Sequence, residues 1–333
     1  MAVQGPFFPL FTPQEQETLR KMEQQRIVLR RKPWLWVISS SIFIGVMGVL
    51  ASVIEIEKYE NKAWPFVIML AVTVMFFGSV AWLTFKFPEL ESLSRRYKRL
   101  VLRRLAPKIL PGWSFATSHR LMNEDIRKSG LFRDKANRIA REDYLFGPAG
   151  KVVAEVYQIA LQTESAERSS GGIIKRETTD NHFYGFFYRV HCPVIFPCEV
   201  WVFPKQRKVQ GEVDDWAELT LYKYTQHKTR NKFTTGDQEF DDRFTVFASD
   251  QHQAPAVITQ SRRKNLIEVD RMFATACAFS YSMNKVYVMI GYSDDPLDMD
   301  LKRHIDEKLF SEHAEELARM KEVALLVVGD SLK

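Results

Sequence analysis

The stretch "WLWVISSSIFIGVMGVLASVI", residues 34–54, contains 21 residues without one charged side chain. A second uncharged stretch, "AWPFVIMLAVTVMFFGSVAWLTF", covers the 23 residues 63–85. A helix rises about 1.5 Å per residue, so each stretch is long enough to cross a hydrocarbon core of about 30 Å. The alternative is a buried helical hairpin in a soluble bundle, but buried helices rarely hold two such uncharged tracts in succession. The pattern therefore predicts two transmembrane helices.

The eight residues between the two stretches, "EIEKYENK" at 55–62, include three Glu and two Lys. A connection this short joins only antiparallel neighbours, so we expect the spans to form a transmembrane hairpin over residues 33–85. Tryptophan rings favour the boundary between lipid and water, and tryptophans stand near the ends of both spans. The predicted interfacial anchors are Trp34, Trp36, Trp64 and Trp82.

Positive charge flanks the hairpin on both sides, whereas the Lys residues of the connection are offset by Glu. The topology-setting cations are Arg30, Arg31, Lys32, Arg95, Arg96, Arg99, Arg103 and Arg104. By the positive-inside rule, both termini are predicted to lie in the cytoplasm and residues 55–62 outside. The spans hold no ionisable residue, and ion pathways generally need such residues at depth. The hairpin is therefore interpreted as an anchor, and an oligomeric channel or transporter component is the alternative.

Charge is segregated along the chain. Residues 1–108 carry 16 Lys and Arg against 8 Asp and Glu, a net charge of +8, and the whole chain carries +6, which leaves −2 for residues 109–333. A nucleic-acid-binding domain would need a basic surface, so the distribution disfavours nucleic acid as a partner of the larger part. It favours contact of the basic part with an anionic lipid bilayer.

Two basic helices are predicted next to the membrane. The first lies in residues 1–32 and begins with a capping-box pattern, in which Thr12 is followed by Pro13 and Glu15. The second covers residues 86–108, where Leu and Tyr recur at helical spacing between cations. Because both helices adjoin the same membrane surface, we expect them to pair as a short stalk.

Residues 109–333 are predicted to form a cytoplasmic, largely antiparallel α+β domain. Two β-rich runs separated by the turn residues 147–150 predict a strand pair within residues 141–164. The stretch 165–181 is rich in Ser, Gly and charge and is expected to be a loop.

The rest of this domain alternates strand and helix patterns. Residues 182–204 are apolar enough to suggest a third span, but their charged residues and prolines favour two buried strands joined at Pro193. The further predicted elements are a strand at 244–249, a helix at 260–273, a hairpin at 275–292 and a final helix at 311–326.

Two stretches of this domain carry a family resemblance. In "AREDYLFGPAGKVVAEVYQIAL", residues 140–161, the acidic pair Glu142 and Asp143 precedes a turn that contains Gly147. The second stretch is "FDDRFTVFASDQHQAPAVITQSRRKNLIEV", residues 240–269. Its matching residues are Phe240, Phe244, Val246, Ser249, Asp250 and Thr259. Both stretches resemble the bacterial membrane proteins grouped as domain-of-unknown-function family 3137.

The resemblance implies a location in the bacterial inner membrane, with two spans followed by a cytoplasmic domain. It implies a LemA-like membrane protein as a protein partner, with a homo-oligomer as the alternative. The family brings no established chemistry, so the resemblance implies no catalytic residues.

Few residues have the spacing of a metal site. His191, Cys192 and Cys198 are near one another in sequence, but Cys-x5-Cys is wider than a zinc knuckle and no second pair follows. Alternation along a strand also places His191 and Cys192 on opposite faces. The chain has three cysteines, Cys192, Cys198 and Cys277. This sparse, odd set predicts buried thiols in a reducing compartment. We therefore predict no metal and no cofactor.

Two acidic segments are the other candidate sites. Glu142 and Asp143 have the chemistry of general acids and bases, but adjacent residues of a strand point apart, which favours a surface or turn-stabilising role. The second segment, "DQEFDDRF" at 237–244, lacks the glycine and spacing of a calcium loop and is expected to be a solvated turn. Its carboxylates are Asp237, Glu239, Asp241 and Asp242.

The sequence favours a membrane-anchored interaction or scaffold protein over an enzyme, because it shows an anchor, a large domain and no catalytic motif. The alternative is a membrane-tethered enzyme that uses carboxylates or the region of His191 and Cys192.

Overall fold

In the computed structural model of the chain, nine strands of the described residues form one antiparallel sheet. The structure describes residues 7–30, 92–117, 121, 123–131, 138–168, 174–205, 208–209, 212–213, 231–273, 275–292, 295–299 and 302–329. The predicted spans, their connection, the tryptophan anchors and the cations Arg31 and Lys32 lie outside the described residues. No helix in the described part of the chain is long and apolar enough to cross a membrane. The transmembrane hairpin therefore stays a prediction.

The chain divides into two compact units. The first comprises Met1–Arg104 and Leu297–Glu312, and the second comprises Leu105–Pro296 and His313–Lys333.

The first unit begins with a short 3-10 helix, Phe8–Leu10, and helix α1, residues 13–30. At its start Thr12 donates from its backbone N and Oγ1 to Glu15 Oε2, at 2.8 and 3.0 Å, and the Glu15 backbone N donates to Thr12 Oγ1 at 3.3 Å. This is the predicted capping box, which satisfies otherwise unpaired donors of the first turn.

Helix α2, residues 92–109, runs antiparallel to α1. Arg104 Nη2 lies 2.7 Å from Glu15 Oε1, and Arg96 Nη2 donates to Gln25 Oε1 at 3.5 Å. Glu15, early in α1, thus contacts Arg104, late in α2. Gln25, late in α1, contacts Arg96, early in α2. It follows that residue 30 and residue 92 lie at the same end of the helix pair.

The first unit is completed by residues 302–312, which return to α1 from far along the chain. The backbone N of Ile305 donates to Glu23 Oε2 at 3.1 Å, and the rings of Phe310 and Phe11 are 5.5 Å apart. Arg26, fully buried, donates to both oxygens of Glu23 at 2.7 Å. These contacts bury the apolar side of α1.

The second unit contains the sheet. Its strands are β1 Ser114–Ala116, β2 Arg138–Ala149, β3 Val152–Arg168, β4 Ile174–His191, β5 Val200–Pro204, β8 Asn231–Phe233, β9 Phe244–Ala248, β10 Cys277–Ser282 and β11 Lys285–Gly291. Their spatial order is β1-β2-β3-β4-β11-β10-β5-β9-β8, and β6 Lys208–Val209 pairs separately with β7 Glu212–Val213. Every pairing is antiparallel, as predicted.

Helices cover both faces of this sheet. They are α3 Asn123–Ser129, α4 Gln238–Arg243, α5 Ala254–Val257, α6 Gln260–Met272 and α7 Glu307–Val328. On one face, the α3 region packs on a core that includes Tyr157, Phe187 and Trp201. On the other face, the Tyr281 hydroxyl donates to the Val327 carbonyl of α7 at 3.0 Å. The sheet is therefore the middle layer of an α+β domain.

The predicted strand pair at 141–164, the strand at 244–249, the hairpin at 275–292 and both helices of this domain are confirmed. The predicted loop at 165–181 is wrong over most of its length. β3 and β4 continue pairing through it, from Thr163 opposite Asp180 to Arg168 opposite Ile174. Backbone hydrogen bonds hold such a ribbon whatever its side chains, so polar composition alone did not reveal it.

Candidate functional site

Polar side chains from β2, β3 and β4 meet on the face of the sheet that α3 covers. Glu155 of β3 and Arg189 of β4 are direct cross-strand partners, and Arg189 Nε donates to Glu155 Oε2. The Tyr144 hydroxyl donates to Glu155 Oε1 at 3.1 Å, and His191 Nε2 lies 3.0 Å from Oε2. With Tyr157 and Asp125, these residues form what we call the Glu155 cluster.

Arg189 is held on its other side as well. Its Nη1 lies 2.8 Å from Asp125 Oδ1 of α3, and its Nη2 donates to the Tyr157 hydroxyl at 3.0 Å. The guanidinium also lies over the Tyr157 ring, 5.7 Å from the centroid. Strand alternation explains the gathering, because Glu155 and Tyr157 are two residues apart on β3, as Arg189 and His191 are on β4.

Charge in the Glu155 cluster sets the protonation of its members. Burial raises the pKa of Glu155, but the hydrogen bonds and charges of His191 and Arg189 outweigh it and bring that pKa to about 2. Burial and the nearby Glu155 carboxylate raise the pKa of Tyr144 and of Tyr157 far above its usual value. Glu155 is thus an anion and both phenols are neutral at physiological pH.

His191 is the most accessible of the ion-paired side chains in this cluster. Its side chain is 37% exposed, against 14% for Glu155 and 13% for Arg189. A carboxylate that holds one imidazole nitrogen fixes the ring and leaves the second nitrogen for proton exchange. The cluster can therefore orient an imidazole at the surface.

The other predicted residues of the metal candidate do not join His191. Burial raises the pKa of the Cys192 thiol to about 11 and raises the pKa of Cys198. The charge of Arg262 lowers the pKa of Cys192 but does not outweigh burial. Arg262 lies over the Tyr281 ring, on the opposite face of the sheet from Glu155. All three cysteines are free and buried. Among the described residues, no group of three or more His, Cys, Asp or Glu side chains is placed to hold a metal ion.

Glu142 and Asp143 lie at a β-bulge in β2. Arg141 pairs with Ile159 and Tyr144 with Tyr157, so the two acidic residues stand opposite the single Gln158. A bulge of this kind interrupts the ladder and bends the strand locally. Asp143 is buried.

The acidic segment 237–242 is built into the fold, which corrects its prediction as a solvated turn. Asp237 accepts from the Phe240 backbone N at the start of α4 and lies 3.1 Å from Arg263 of α6. Asp241 accepts from Thr235 Oγ1 at 2.9 Å. Glu239 remains exposed and pairs with Arg271 of α6 at 2.6 Å. Asp237, Glu239 and Asp241 thus pair with donors of the chain itself.

A second buried polar group lies on the opposite face of the sheet. Glu316 of α7 accepts from the Tyr292 hydroxyl at 2.8 Å and from Arg319 Nη1 at 2.8 Å. Burial raises the pKa of Glu316. Tyr188 is fully buried nearby, and burial and the Glu316 charge raise its pKa well above the usual value. This group ties α7 to the sheet.

A comparison with known protein families finds a match in the second half of the chain. Residues 181–326 match a family described as a protein of unknown function, DUF3137. The match supports the family resemblance drawn from the sequence. It runs from β4 to α7 and so includes Arg189, His191 and Glu316, whereas Glu155 precedes it.

One solved structure is similar, the crystal structure of the mycobacterial trehalose monomycolate transport factor A, TtfA. The similarity covers 68% of this chain and 97% of that chain, at 8% sequence identity and a TM-score of 0.32. No curated protein sequence matches the chain significantly.

Sequence reasoning found His191 but missed Tyr144, Glu155, Tyr157 and Arg189. The available signal was the pair of charged residues, Glu155 and Arg189, each within a largely apolar run of its strand, residues 152–161 and 183–190. A charge in a buried strand generally implies a partner of opposite sign. The DUF3137 match gives no further site residue.

Proposed function

We propose that this chain is a membrane-anchored interaction protein of the bacterial inner membrane. Residues 33–85 form the anchor, α1 and α2 form the stalk, and the α+β domain binds a protein partner in the cytoplasm. A LemA-like membrane protein or a second copy of the chain fills the partner role.

The antiparallel pairing of α1 and α2 carries this proposal. Because residues 30 and 92 lie at the same end of the helix pair, the 61 residues between them leave and return at one place. A two-span hairpin requires that geometry, since its two ends emerge on the same side of the bilayer. The uncharged tracts within that segment supply the spans.

Cysteine labelling of intact cells tests the topology. All three native cysteines are buried, so a cysteine introduced at Asn61 (N61C) gives a specific signal with a membrane-impermeant maleimide. We expect N61C to be labelled in intact spheroplasts and the control K151C, in the β2–β3 turn, to be labelled only after lysis. Labelling of K151C before lysis, or extraction of the wild-type chain from membranes by alkaline carbonate, would contradict the proposal.

Purification in mild detergent tests the binding role. We expect the full chain to elute with a stoichiometric partner or as a homo-oligomer. Repeated recovery of bare monomer would count against an interaction protein.

A membrane-tethered enzyme is the second candidate, and one observation favours it. Glu155 orients the partly exposed His191, as a carboxylate orients a general base in many hydrolases. If the chain is an enzyme of this kind, H191A folds normally but fails to complement a deletion strain. Full complementation by H191A would exclude it.

A further inference from the structure

Large apolar side chains are exposed at one end of the sheet. They are Phe146, Val153, Val194, Ile195 and Met283, which we call the apolar tip. The last ladder rung at this end joins Val153, His191 and Lys285, and the apolar residues lie at or near it on β2, β3, the β4–β5 connection and the β10–β11 turn. Ile195 is 79% exposed and Met283 is 71% exposed. Exposed apolar side chains gathered in this way mark interaction sites more often than scattered ones do.

The backbone fixes the two most exposed members side by side. The Phe196 backbone N donates to the Met283 carbonyl at 2.7 Å, and the Cys192 backbone N donates to the Asn284 carbonyl at 2.8 Å. The β4–β5 connection is thereby tied to the β10–β11 turn. Ile195 and Met283 thus project from one rigid platform.

Met283 is also held in an unfavourable conformation. Its φ is 53°, and no other non-glycine residue in the described ranges has a positive φ. Left-handed backbone is disfavoured for residues with a Cβ, but a two-residue hairpin turn needs a positive φ at one or both central positions. The turn therefore accounts for the backbone of Met283, whereas nothing in the hairpin requires a large apolar side chain that faces water.

Among the described residues in and beside the turns of the apolar tip, charges of both signs occur. Lys151 and Lys285 lie in or beside its turns, as do Glu199 and Asp250 on the neighbouring strand ends. Glu199 also accepts from Ser282 Oγ at 2.6 Å. An anionic lipid surface selects a net positive rim. When two identical surfaces meet about a two-fold axis, an excess of one charge on the rim of one copy faces the same excess on the other copy and repels it. Such a contact therefore needs a rim with charges of both signs.

The exposed area fits a second copy. Side chains of this kind each present on the order of 200 Å², and their exposed fractions leave on the order of 500 Å² per copy. Two copies would thus bury about 1,000 Å² before the polar rim is counted, which reaches the lower limit for a specific interface.

We propose that the apolar tip is the contact surface of a symmetric dimer of this chain. The proposal rests on the proposed membrane anchoring, which confines the copies to one plane and raises their effective concentration. Ile195 and Met283 of each copy pack against the same residues of the other copy.

The test uses the full chain in detergent, with its mass measured by light scattering. We expect a dimer for the wild type and a monomer for the double variant I195E/M283E, because four buried carboxylates would face one another. The matched control is V28E, since Val28 is an exposed apolar residue of α1 outside the apolar tip, 46% exposed. V28E should stay dimeric.

Disulfide trapping in native membranes gives an independent measurement. On mild oxidation, M283C should form a cross-linked dimer and V28C should not. A wild-type monomer, or a dimer that survives I195E/M283E, would overturn the proposal. A complex of one copy with a different protein that I195E/M283E abolishes would overturn it too. None of these results affects carbonate resistance or N61C labelling, so failure of the dimer is distinguishable from failure of the anchor.

Discussion

Glu155 and Arg189 face each other across neighbouring antiparallel strands, and the same guanidinium reaches Asp125 on the helix above. One arginine thus links two strands and a helix while balancing two carboxylates. Both partners are mostly buried, so the loss of either would leave charge in a site of low polarity.

Replacing Arg189 with Met should strongly destabilise the domain. R189M leaves Glu155 and Asp125 without their shared cation, and breaking a buried pair in this way costs about 3 kcal/mol. R189K keeps the charge but loses the planar fork, so its thermal unfolding temperature should lie between those of R189M and the wild type. An R189M protein as stable as the wild type would show that the cluster contributes nothing to the fold.

Stability should fall in acid because of Glu155. Its pKa in the folded chain is about 2, below the ordinary value of 4.5. A carboxyl with a depressed pKa stabilises the folded state above its ordinary pKa, and this contribution is lost as pH falls from about 4.5 towards 2. In thermal melts between pH 7 and pH 3, E155Q should show a shallower decline than the wild type.

The control for this pH series is E124Q. Glu124 pairs with Lys128 on the exposed surface of α3, and exposed pairs contribute little. E124Q should keep the wild-type decline, and an equal flattening in both variants would contradict the role assigned to Glu155.

Arg262 should be essential for the attachment of α7. It is buried, donates to the Val257 carbonyl and to the Val328 carbonyl at 3.1 Å, and lies over the rings of Phe196 and Tyr281. R262M removes these donors from buried carbonyls, so we expect a loss of about 3 kcal/mol in unfolding free energy.

R271M on the same helix is the matched control for R262M. Arg271 pairs with Glu239 on the surface, with both side chains more than half exposed. Its loss should cost at most about 1 kcal/mol. Similar chemical denaturation midpoints for R262M and R271M would refute the role of Arg262.

Glu15 should stabilise the pair of helices α1 and α2, the proposed stalk, by two contacts. It completes the capping box with Thr12 and pairs with Arg104 of α2. E15A should cost about 1 kcal/mol and make α1 more sensitive to limited proteolysis. E17A is the control, because Glu17 only pairs weakly with Arg20 and Lys21 of its own helix. Equal cleavage rates for E15A and E17A would argue against the stalk contact.

Local patterns predicted the elements that local physics determines. The hairpin β10–β11, helix α6 and helix α7 each carry their periodicity within a short stretch, and the capping box at Thr12 is written in four residues. The order of strands in the sheet has no such local signal, because β4 pairs with β11 across nearly a hundred residues.

The Glu155 cluster could not be predicted from the sequence for the same reason. Its assembly depends on the register between β3 and β4, which places Glu155 opposite Arg189 across 34 residues. A shift of one residue would send all these side chains to the other face. The bulge at Glu142 and Asp143 likewise depends on pairing with β3, so the strand's own sequence carries no signal for it.

The outermost strands of the sheet, β1 and β8, are three residues each, and β2 carries its bulge next to the part that β1 leaves uncovered. Long straight margins invite backbone hydrogen bonding from neighbouring molecules, whereas short or kinked ones resist it. The two ends of the sheet at β1 and β8 therefore offer neighbouring molecules poor templates for an added strand, which protects these ends against β-aggregation.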